Sequence, residues 1–216
     1  MFHVKHPRSA VTQSILGLAG LEDSAADALD RFAELLLRWN RTVNLVARGD
    51  ESHLWDRHIA DSLQLVPLMR LLPAPAKAID LGSGGGFPGL ILAIATGIPF
   101  DLIESDQRKC AFLREAARIA AAPATVHATR IEAARIPPAK LITARAVAPL
   151  PVLLALAAPL LTADGVCLFL KGANADAELT QAAPRWHMRT ERFPSRTSAQ
   201  ASILRIREIA IVEFPA

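Results

Sequence analysis

A glycine-rich segment carries the clearest chemical signal in the sequence. From Ala78 to Gly89 it reads Ala-Ile-Asp-Leu-Gly-Ser-Gly-Gly-Gly-Phe-Pro-Gly. The apolar run predicts a strand ending at Leu81, and Pro88 suits the first turn of a helix. Glycine tolerates positive φ and lets the backbone approach a ligand closely. The segment therefore predicts a ligand-binding turn between a strand and a helix.

The spacing of the glycines leaves three interpretations open. Gly82, Gly84 and Gly86 match the loop with which methyltransferases hold S-adenosylmethionine. Gly84, Gly86 and Gly89 match the dinucleotide-binding fingerprint of oxidoreductases or of a related binding module. A tight structural turn without a ligand is the third interpretation.

The residues around the glycines favour the first interpretation. A carboxylate at Asp80 suits a cationic ligand and would repel a pyrophosphate. Phe87 and Pro88 place an apolar wall where a dehydrogenase needs open N–H groups at a helix N-terminus. Glu104, about 20 residues beyond the loop, can accept hydrogen bonds from ribose hydroxyls under either ligand interpretation, so it does not discriminate between them.

Alternating strands and helices must position these residues. After Pro75, short apolar runs alternate with helical stretches, which predicts a parallel sheet with helices on both faces. Two final β-runs without a helix between them predict an antiparallel hairpin. The predicted strands are Ala78–Leu81, Phe100–Glu104, Thr125–His127, Leu141–Ala144, Val166–Leu170, Trp186–Phe193 and Ser202–Val212, and the predicted helices are Gly89–Thr96, Asp106–Ala121, Leu150–Leu161 and Ala175–Ala183.

The chain before Pro75 is predicted to be helical. One amphipathic helix spans Ser24–Asn40, and Ser24 is positioned to cap it. A second spans about Glu51–Leu72, and Pro67 kinks or ends it. The Pro-Ala-Pro sequence at 73–75 marks a boundary. We therefore expect an N-terminal helical lobe over residues 1–75 and a ligand-binding domain over residues 76–216.

Composition excludes several classes of protein. The chain has 216 residues, and its 51% hydrophobic content excludes bulk disorder. The most apolar stretch, Ala146–Leu161, is interrupted by three prolines and is too short to span a membrane comfortably. Met1–Arg8 lacks the apolar core of a secretory signal, so we expect a cytoplasmic protein. Nothing indicates a dimer seam, and we expect a monomer without membrane association.

Cysteine and histidine spacing gives no metal site. Cys110 and Cys167 are far apart in apolar surroundings, which predicts buried, inert thiols. His53 and His58 lie five residues apart, a poor spacing for metal ligands on a helix.

The net charge of +3 and the pI of about 9.2 permit a nucleic-acid partner. Aromatic residues form only 5% of the chain, so recognition through several stacked bases is not expected.

Several segments combine into a specific pattern. They are Arg38-Trp-Asn-Arg-Thr-Val-Asn-Leu45, Arg57-His-Ile-Ala-Asp-Ser-Leu63, Asp80-Leu-Gly-Ser-Gly-Gly-Gly-Phe-Pro-Gly89, Ala144-Arg-Ala146 and Leu170-Lys-Gly172. With them the chain resembles, over nearly its whole length, the bacterial RsmG (GidB) family of small-subunit rRNA methyltransferases. Glu104 is a departure, since many relatives have Asp there, but it keeps the carboxylate.

The resemblance implies a fold and an activity. The fold is that of class I S-adenosylmethionine-dependent methyltransferases, an α/β Rossmann-like fold with a mostly parallel seven-stranded sheet that ends in an antiparallel hairpin. The activity is methylation of N7 of a guanine in the 530 loop of 16S rRNA, in free rRNA or in the 30S subunit. A methyltransferase acting on a small molecule or a protein is the alternative that the N-terminal segments argue against.

The resemblance also implies site residues. It implies cofactor contacts at Gly82, Phe87, Glu104, Ile131, Glu132 and Arg145, in addition to those that the loop itself predicts at Asp80, Gly84 and Gly86. For Ile131 and Glu132 the start of an ordinary helix is the alternative. Arg145, after the fourth strand, is the expected catalytic residue, and at a sheet edge we expect it to support little of the core.

Candidate RNA contacts are cations near the same edge: Arg57, His58, Arg108, Lys109, Lys171 and Arg196. Arg108 and Lys109 have a solvated helix face as an equal alternative, and Arg57 has an ion pair with Asp61. Guanine N7 carries a free lone pair and no proton. Direct attack on a sulfonium methyl therefore needs no general base and no metal, and catalysis reduces to alignment and electrostatics.

Overall fold

Residues 8–212 are described by a computed structural model, so most of the segment considered as a secretory signal lies outside the described residues. A seven-stranded sheet forms the centre, in the strand order β3-β2-β1-β4-β5-β7-β6. The strands are β1 Ala78–Leu81, β2 Phe100–Glu104, β3 Ala124–Ala128, β4 Ala139–Arg145, β5 Leu161–Lys171, β6 Trp186–Pro194 and β7 Ser202–Ile211. Strands β1 to β5 are parallel, and β7 pairs antiparallel with both β5 and β6. The predicted sheet with its closing hairpin is confirmed.

Parallel register brings the strand ends to one edge. Leu81 of β1 lies opposite Ile103 of β2 and Ala144 of β4. The next residues along the three segments are Gly82, just after β1, and Glu104 and Arg145, which end β2 and β4, and they therefore emerge side by side. In open α/β sheets this carboxyl edge is where ligands bind.

Helices cover both faces of the sheet, as the alternation predicted. They are α5 Gly89–Thr96, α6 Gln107–Ala120, α7 Leu150–Ala157 and α8 Ala175–Ala182. The carboxylate of Asp106 accepts hydrogen bonds from the backbone N–H groups of Arg108 and Lys109 and so caps α6. The helix predicted to reach Leu161 ends earlier, because a 3-10 turn over Ala158–Leu160 follows α7 and Leu161 already belongs to β5.

The N-terminal lobe begins with α1 Ala10–Ala19 and α2 Asp23–Trp39. The predicted capping role of Ser24 is wrong, since α2 starts at Asp23 with Glu22 in the cap position. The left-handed Gly20 ends α1 and leaves only two residues before α2 begins. Ser24 therefore falls inside the first turn.

The single helix predicted over residues 51–72 is also wrong. The segment consists of a 3-10 helix over Arg48–His53, a π-helical turn over Trp55–Ile59, and two short α-helices, α3 Ala60–Leu63 and α4 Val66–Met69. Pro67 stands in the first turn of α4, where its missing N–H leaves no helical hydrogen bond unmade. The apolar spacing is shared by all these helical forms, so it could not distinguish them.

The lobe and the sheet share one hydrophobic core. Phe32 and Leu63 of the lobe are fully buried in the same cluster as Phe100 of β2. A second cluster, with Phe169 of β5 and Leu154 of α7, fills the opposite face of the sheet. The domain boundary near residue 75 stays a prediction.

Two further sequence expectations concern thiols and membranes. Cys110 and Cys167 are buried free cysteines, and burial raises the pKa of both thiols, as expected of unreactive side chains. Within residues 8–212, no helix combines the length and apolar character that a membrane span requires.

Candidate active site

The glycine loop is held in a conformation that requires small residues. Gly82 has φ +62°, and a Cβ atom there would lie 2.8 Å from Cγ2 of Val147. Gly89 faces the side chain of Asp80 so closely that a Cβ would overlap it. The loop therefore packs tightly between β1, the start of α5 and the chain that follows β4.

Asp80 lies beneath this loop. It is fully buried, and its Oδ1 accepts a 2.7 Å hydrogen bond from the hydroxyl of Thr143, whereas its Oδ2 has no hydrogen-bond partner. Burial raises the pKa of Asp80 to about 6. Asp80 lines neither of the clefts described below, so its place is one that supports the turn.

Glu104 is tied to the loop by backbone donors. Its Oε2 accepts from the N–H of Gly84 at 2.9 Å, and its Oε1 accepts from the N–H groups of Ser105 and Asp106 at 2.7 and 2.8 Å. A carboxylate offers about four acceptor positions, so Glu104 retains one for a ligand. These three hydrogen bonds fix the orientation of the carboxylate, and with it the direction of the remaining acceptor position.

A cleft of about 350 Å³ opens beside Glu104, and we call it the loop cleft. Its walls combine apolar side chains with two carboxylates: Gly82, Ile103, Glu104, Ser105, Thr129, Arg130, Ile131, Glu132, Val147, Ala148, Val152 and Leu156. Apolar walls suit a flat base, and a carboxylate suits hydroxyl donors. The cleft therefore fits a nucleoside.

Among the predicted cofactor residues, the structure brings four to the loop cleft: Gly82, Glu104, Ile131 and Glu132. Gly84 contributes through its hydrogen bond to Glu104. Gly86 packs against Leu90, and Phe87 is buried, so neither lines the loop cleft.

A second cleft, of about 680 Å³, lies where the lobe meets the sheet, and we call it the junction cleft. It shares Val147 and Ala148 with the loop cleft. Its other lining residues come from the lobe, the sheet edge and the loop between β6 and β7: Arg57, His58, Asp61, Arg145, Ala146, Pro149, Leu170, Lys171, Gly172, Glu178, Thr197, Ser198 and Ala201. Two ligands bound in the two clefts would meet at Val147 and Ala148.

Arg145 is held at the floor of the junction cleft. Its guanidinium donates to the Arg57 carbonyl at 3.1 Å, to Asp61 at 3.2 Å and to Nδ1 of His58 at 2.7 Å. It also lies 4.8 Å from the ring centre of Phe87. Arg145 therefore joins the lobe to β4, and the expectation that it supports little of the core stays a prediction. Burial lowers the pKa of Arg145, yet a guanidinium stays charged in proteins.

His58 is a neutral partner of Arg145. Burial, followed by the neighbouring charge of Arg145, lowers the pKa of His58 to about 4. Because Nδ1 accepts the hydrogen bond from Arg145, the ring proton belongs on Nε2, which lies 3.4 Å from Asp50. The ring also packs against Phe87, with 5.1 Å between ring centres.

Arg57 lines the junction cleft, and its side chain is exposed. It pairs with Asp50, so the alternative ion pair between Arg57 and Asp61 is wrong. Asp61 instead pairs with Arg145. The π-helical turn between residues 55 and 59 alters the spacing of side chains on this segment, and the i, i+4 rule assumes a regular α-helix.

Lys171 is nearly buried and already paired. Its Nζ lies 2.6 Å from Glu178 and donates to the carbonyl of Ala148 at 3.0 Å. Glu178 also accepts from the N–H of Leu150 at 2.6 Å. Lys171 thus fastens the segment between β4 and α7, which includes Ala146 in the left-handed region at φ +54°. An RNA contact by Lys171 stays a prediction, and the geometry favours a positioning role.

Of the remaining predicted RNA contacts, one lies next to the junction cleft and two do not. Arg196 is exposed in the loop between β6 and β7, next to residues that line the junction cleft. Arg108 is exposed at the start of α6, and neither it nor Lys109 lines either cleft. Arg196 is therefore better placed to meet a phosphate near the junction cleft.

Sequence reasoning missed Asp61, Asp50, Thr197 and Glu178 as members of the site. Asp61 lies in the same Arg57–Leu63 segment that carries the resemblance, so a signal was present. The other three are brought to the junction by tertiary contacts with no local pattern. In the described part of the chain, no three His, Cys, Asp or Glu side chains are arranged to hold a metal ion.

A larger cavity, of about 720 Å³, lies at the opposite end of the sheet. It is lined partly by Thr96–Ile98 and Pro75, which precede β2 and β1. The guanidinium of Arg70 there donates to the carbonyl of Ala19 at the end of α1. This cavity therefore lacks the convergent strand ends that define the two clefts.

Comparison with known proteins finds one family along most of the chain. The family model described as rRNA small subunit methyltransferase G matches residues 25–205. Proteins named ribosomal RNA small subunit methyltransferase G are similar along most of the chain. The one from Granulibacter bethesdensis is 55% identical over 98% of this chain and 100% of its own length. The one from Gluconobacter oxydans is 59% identical over 83% of this chain and 92% of its own length.

Solved structures show the same fold at low sequence identity. An O-methyltransferase from Bacillus cereus, crystallised in complex with SAH, has a TM-score of 0.57 and 15% identity, covering 92% of this chain and 97% of its own. The ribosomal protein L11 methylase of Lactobacillus delbrueckii has a TM-score of 0.54 and 16% identity, covering 69% and 77%. The fold is therefore that of class I methyltransferases.

The pKa of His58 predicts a pH-dependent contribution to stability. Between the usual value of 6.5 and the folded value of about 4, the unfolded chain binds a proton at His58 that the folded protein does not. The contribution of His58 therefore falls by at most about 2 kcal/mol as the pH is lowered from about 7 to about 5. A His58→Gln variant should lose less free energy of unfolding over this range than the wild type, measured by urea denaturation.

Asp80 acts in the opposite direction. Its folded pKa of about 6 exceeds the ordinary carboxyl value of 3.8, so its contribution to stability rises as the pH falls through about 6. Comparing His58→Gln with the wild type removes this shared contribution. Parallel curves of unfolding free energy against pH would contradict the assignment of His58 as a buried neutral side chain.

Proposed function

The chain belongs to the rRNA small subunit methyltransferase G family, and we propose that it transfers a methyl group from S-adenosylmethionine to N7 of a guanine in the 530 loop of 16S rRNA. The observation that carries this proposal is the pair of clefts that meet at Val147 and Ala148, one suited to a nucleoside and the other lined by cations. A substrate in the small ribosomal subunit would make the protein a cytoplasmic enzyme, and we propose that it acts as a monomer.

The loop cleft is proposed to hold the cofactor. The free acceptor position of Glu104 would take ribose hydroxyls, while Ile131 and Val152 would pack against the adenine. Gly82 would leave room for the chain that leads from the ribose toward Val147 and the junction cleft. When bound, the cofactor supplies a methyl group on a positively charged sulfur.

The junction cleft is proposed to receive the target guanine. Arg145 is held by Asp61 and His58, so its guanidinium would present a fixed donor surface to the base or to the methionine end of the cofactor. Arg196 would meet a phosphate at the mouth of the cleft. A fixed cation reduces the reorganisation needed as charge moves during transfer.

No residue is required to remove a proton, because guanine N7 is unprotonated at neutral pH and attacks the methyl group directly. The nearest titratable side chains fit this expectation. His58 has its Nδ1 lone pair engaged by Arg145 and a pKa of about 4, and Asp61 is engaged by Arg145. Catalysis then rests on alignment and on electrostatics.

The direct test is methyl transfer to ribosomal subunits. The protein should transfer labelled methyl from S-adenosylmethionine to isolated 30S subunits or to free 16S rRNA, and mass spectrometry of nuclease fragments should locate 7-methylguanine in the 530 loop. Metabolite pools and total protein serve as alternative acceptors. Transfer only to those, or to another base of the rRNA, would contradict the proposed substrate.

Removal of the Glu104 carboxylate should weaken cofactor binding. Loss of charge-assisted hydrogen bonds predicts that Glu104→Ala binds S-adenosylmethionine about 10- to 150-fold more weakly, measured by calorimetry. Asp164→Ala, an exposed carboxylate that lines neither cleft, is the matched control and should bind normally. Unchanged affinity in Glu104→Ala would remove Glu104 from the cofactor site.

The single-turnover rate should be insensitive to pH in the range where a histidine base would act. A base with a pKa near 6.5 would make the rate rise about tenfold per pH unit below that value. We expect no such rise with saturating RNA and cofactor, with circular dichroism confirming that the protein stays folded. A tenfold rise per pH unit would show that a base takes part.

A further inference from the structure

Asp61 is the only side chain of the described residues recorded as bonded both to Arg145 and to the loop between β6 and β7. It lies on α3 of the lobe, with 14% of its side chain exposed. Its Oδ2 accepts from Arg145 at 3.2 Å. Its Oδ1 accepts from the hydroxyl of Thr197 at 2.7 Å. The two oxygens of one carboxylate are therefore shared between the sheet edge and the loop.

Gln64, one turn further along, supports the same link. Its Nε2 donates to Asp61 at 2.7 Å and to the hydroxyl of Ser195 at 3.2 Å. Its Oε1 accepts from the backbone N–H of Arg196 at 2.9 Å. The side chains of Ser195 and Thr197 lie 3.0 Å apart. The lobe thus holds the first part of the loop at three successive residues.

This loop forms one side of the junction cleft. Thr197, Ser198 and Ala201 line the cleft together with Arg145 and Lys171. Within the loop, the backbone bonds Ser195 N–H to the carbonyl of Ala201, and Ala201 N–H to that of Ser198, make a compact turn. The turn is short and exposed, so its distance from Arg145 depends on the contacts with the lobe.

We propose that Asp61 is a positioning residue for methyl transfer, which orients Arg145 with one carboxylate oxygen and holds the β6–β7 loop against the junction cleft with the other. This inference rests on the proposed function and extends it. Charge-assisted hydrogen bonds on both sides make the carboxylate a strong link. The width of the junction cleft, and the place of Arg196 at its mouth, are then set from the lobe.

Three variants separate the two halves of the link. Thr197→Val removes the loop-side donor and leaves the contact between Asp61 and Arg145. Asp61→Asn keeps a carbonyl oxygen for Thr197 and Gln64 but presents an amide to Arg145, so Arg145 loses its charged acceptor and keeps the Arg57 carbonyl and His58. Asp61→Ala removes both contacts. Asp164→Asn and Thr180→Val, at positions that line neither cleft, are the matched controls.

We expect the two single-contact variants to change different kinetic constants, one mainly KM and the other mainly kcat. Thr197→Val should raise the KM for 30S subunits about tenfold with a smaller effect on kcat. Asp61→Asn should lower kcat about tenfold with a smaller effect on KM. Affinity for S-adenosylmethionine should be unchanged in Thr197→Val, because Thr197 does not line the loop cleft.

Hydrogen exchange of residues 195–201, measured by mass spectrometry on the free protein, gives a readout that needs no substrate. Exchange should be faster than in the wild type for Thr197→Val and Asp61→Ala, and close to the wild type for Asp61→Asn and both controls. If Asp61→Ala fails to fold, the other two variants carry the test.

Unchanged exchange and unchanged KM in Thr197→Val would overturn the proposal. So would losses in Asp61→Asn and Thr197→Val that follow only a loss of folded protein, without the separation of KM from kcat. Absence of methyl transfer by the wild type both to 30S subunits and to free 16S rRNA would instead contradict the proposed function. The exchange of the loop would still report whether Asp61 positions it.

Discussion

Removing the guanidinium of Arg145 from water is costly unless opposite charge and hydrogen-bond acceptors replace the solvent. Within residues 8–212 the sheet edge supplies no such acceptor, because the hydrogen bonds of the guanidinium go to Arg57, His58 and Asp61 of the lobe. The lobe must therefore dock on the carboxyl edge of the sheet, in the one register that brings these groups to β4. The position of the junction cleft follows from that docking.

The chain that follows β4 divides the site in two. Ala146 has positive φ, a conformation that costs an L-residue about 1–2 kcal/mol, and Val147 packs against Gly82 of the glycine loop. The buried pair of Lys171 and Glu178 fastens the same segment from the other side. A strained segment held from both sides makes a fixed boundary between the loop cleft and the junction cleft. Direct transfer of a methyl group between two substrates requires such fixed alignment.

At the loop cleft, hydrogen bonds between a carboxylate and the backbone fix the geometry. The carboxylate of Glu104 accepts from the N–H groups of Gly84, Ser105 and Asp106, so the glycine loop and the start of α6 are oriented by one side chain. A glutamate has the reach to hold both segments, which gives a physical reason for the carboxylate at this position. The same three bonds leave an acceptor directed into the cleft.

The sequence alone predicted the parallel strands, the closing hairpin and the turn at the glycines, whereas the order of the strands in the sheet came from the tertiary structure. The predicted features depend on local patterns, namely short apolar runs, helical spacing and glycine in a strand-to-helix turn. Tertiary structure decided which kind of helix each part of the segment from Arg48 to Met69 forms, because its apolar spacing fits 3-10, π and α turns alike. In the folded protein this segment contacts Arg145 through His58. Tertiary structure also decided the partners of charged residues. The spacing of a regular helix offered an ion pair between Arg57 and Asp61 as an alternative. In the structure Asp61 forms its ion pair with Arg145, and Lys171 forms one with Glu178. Electrostatic pairing depends on distance in space and on burial, and a linear pattern specifies neither.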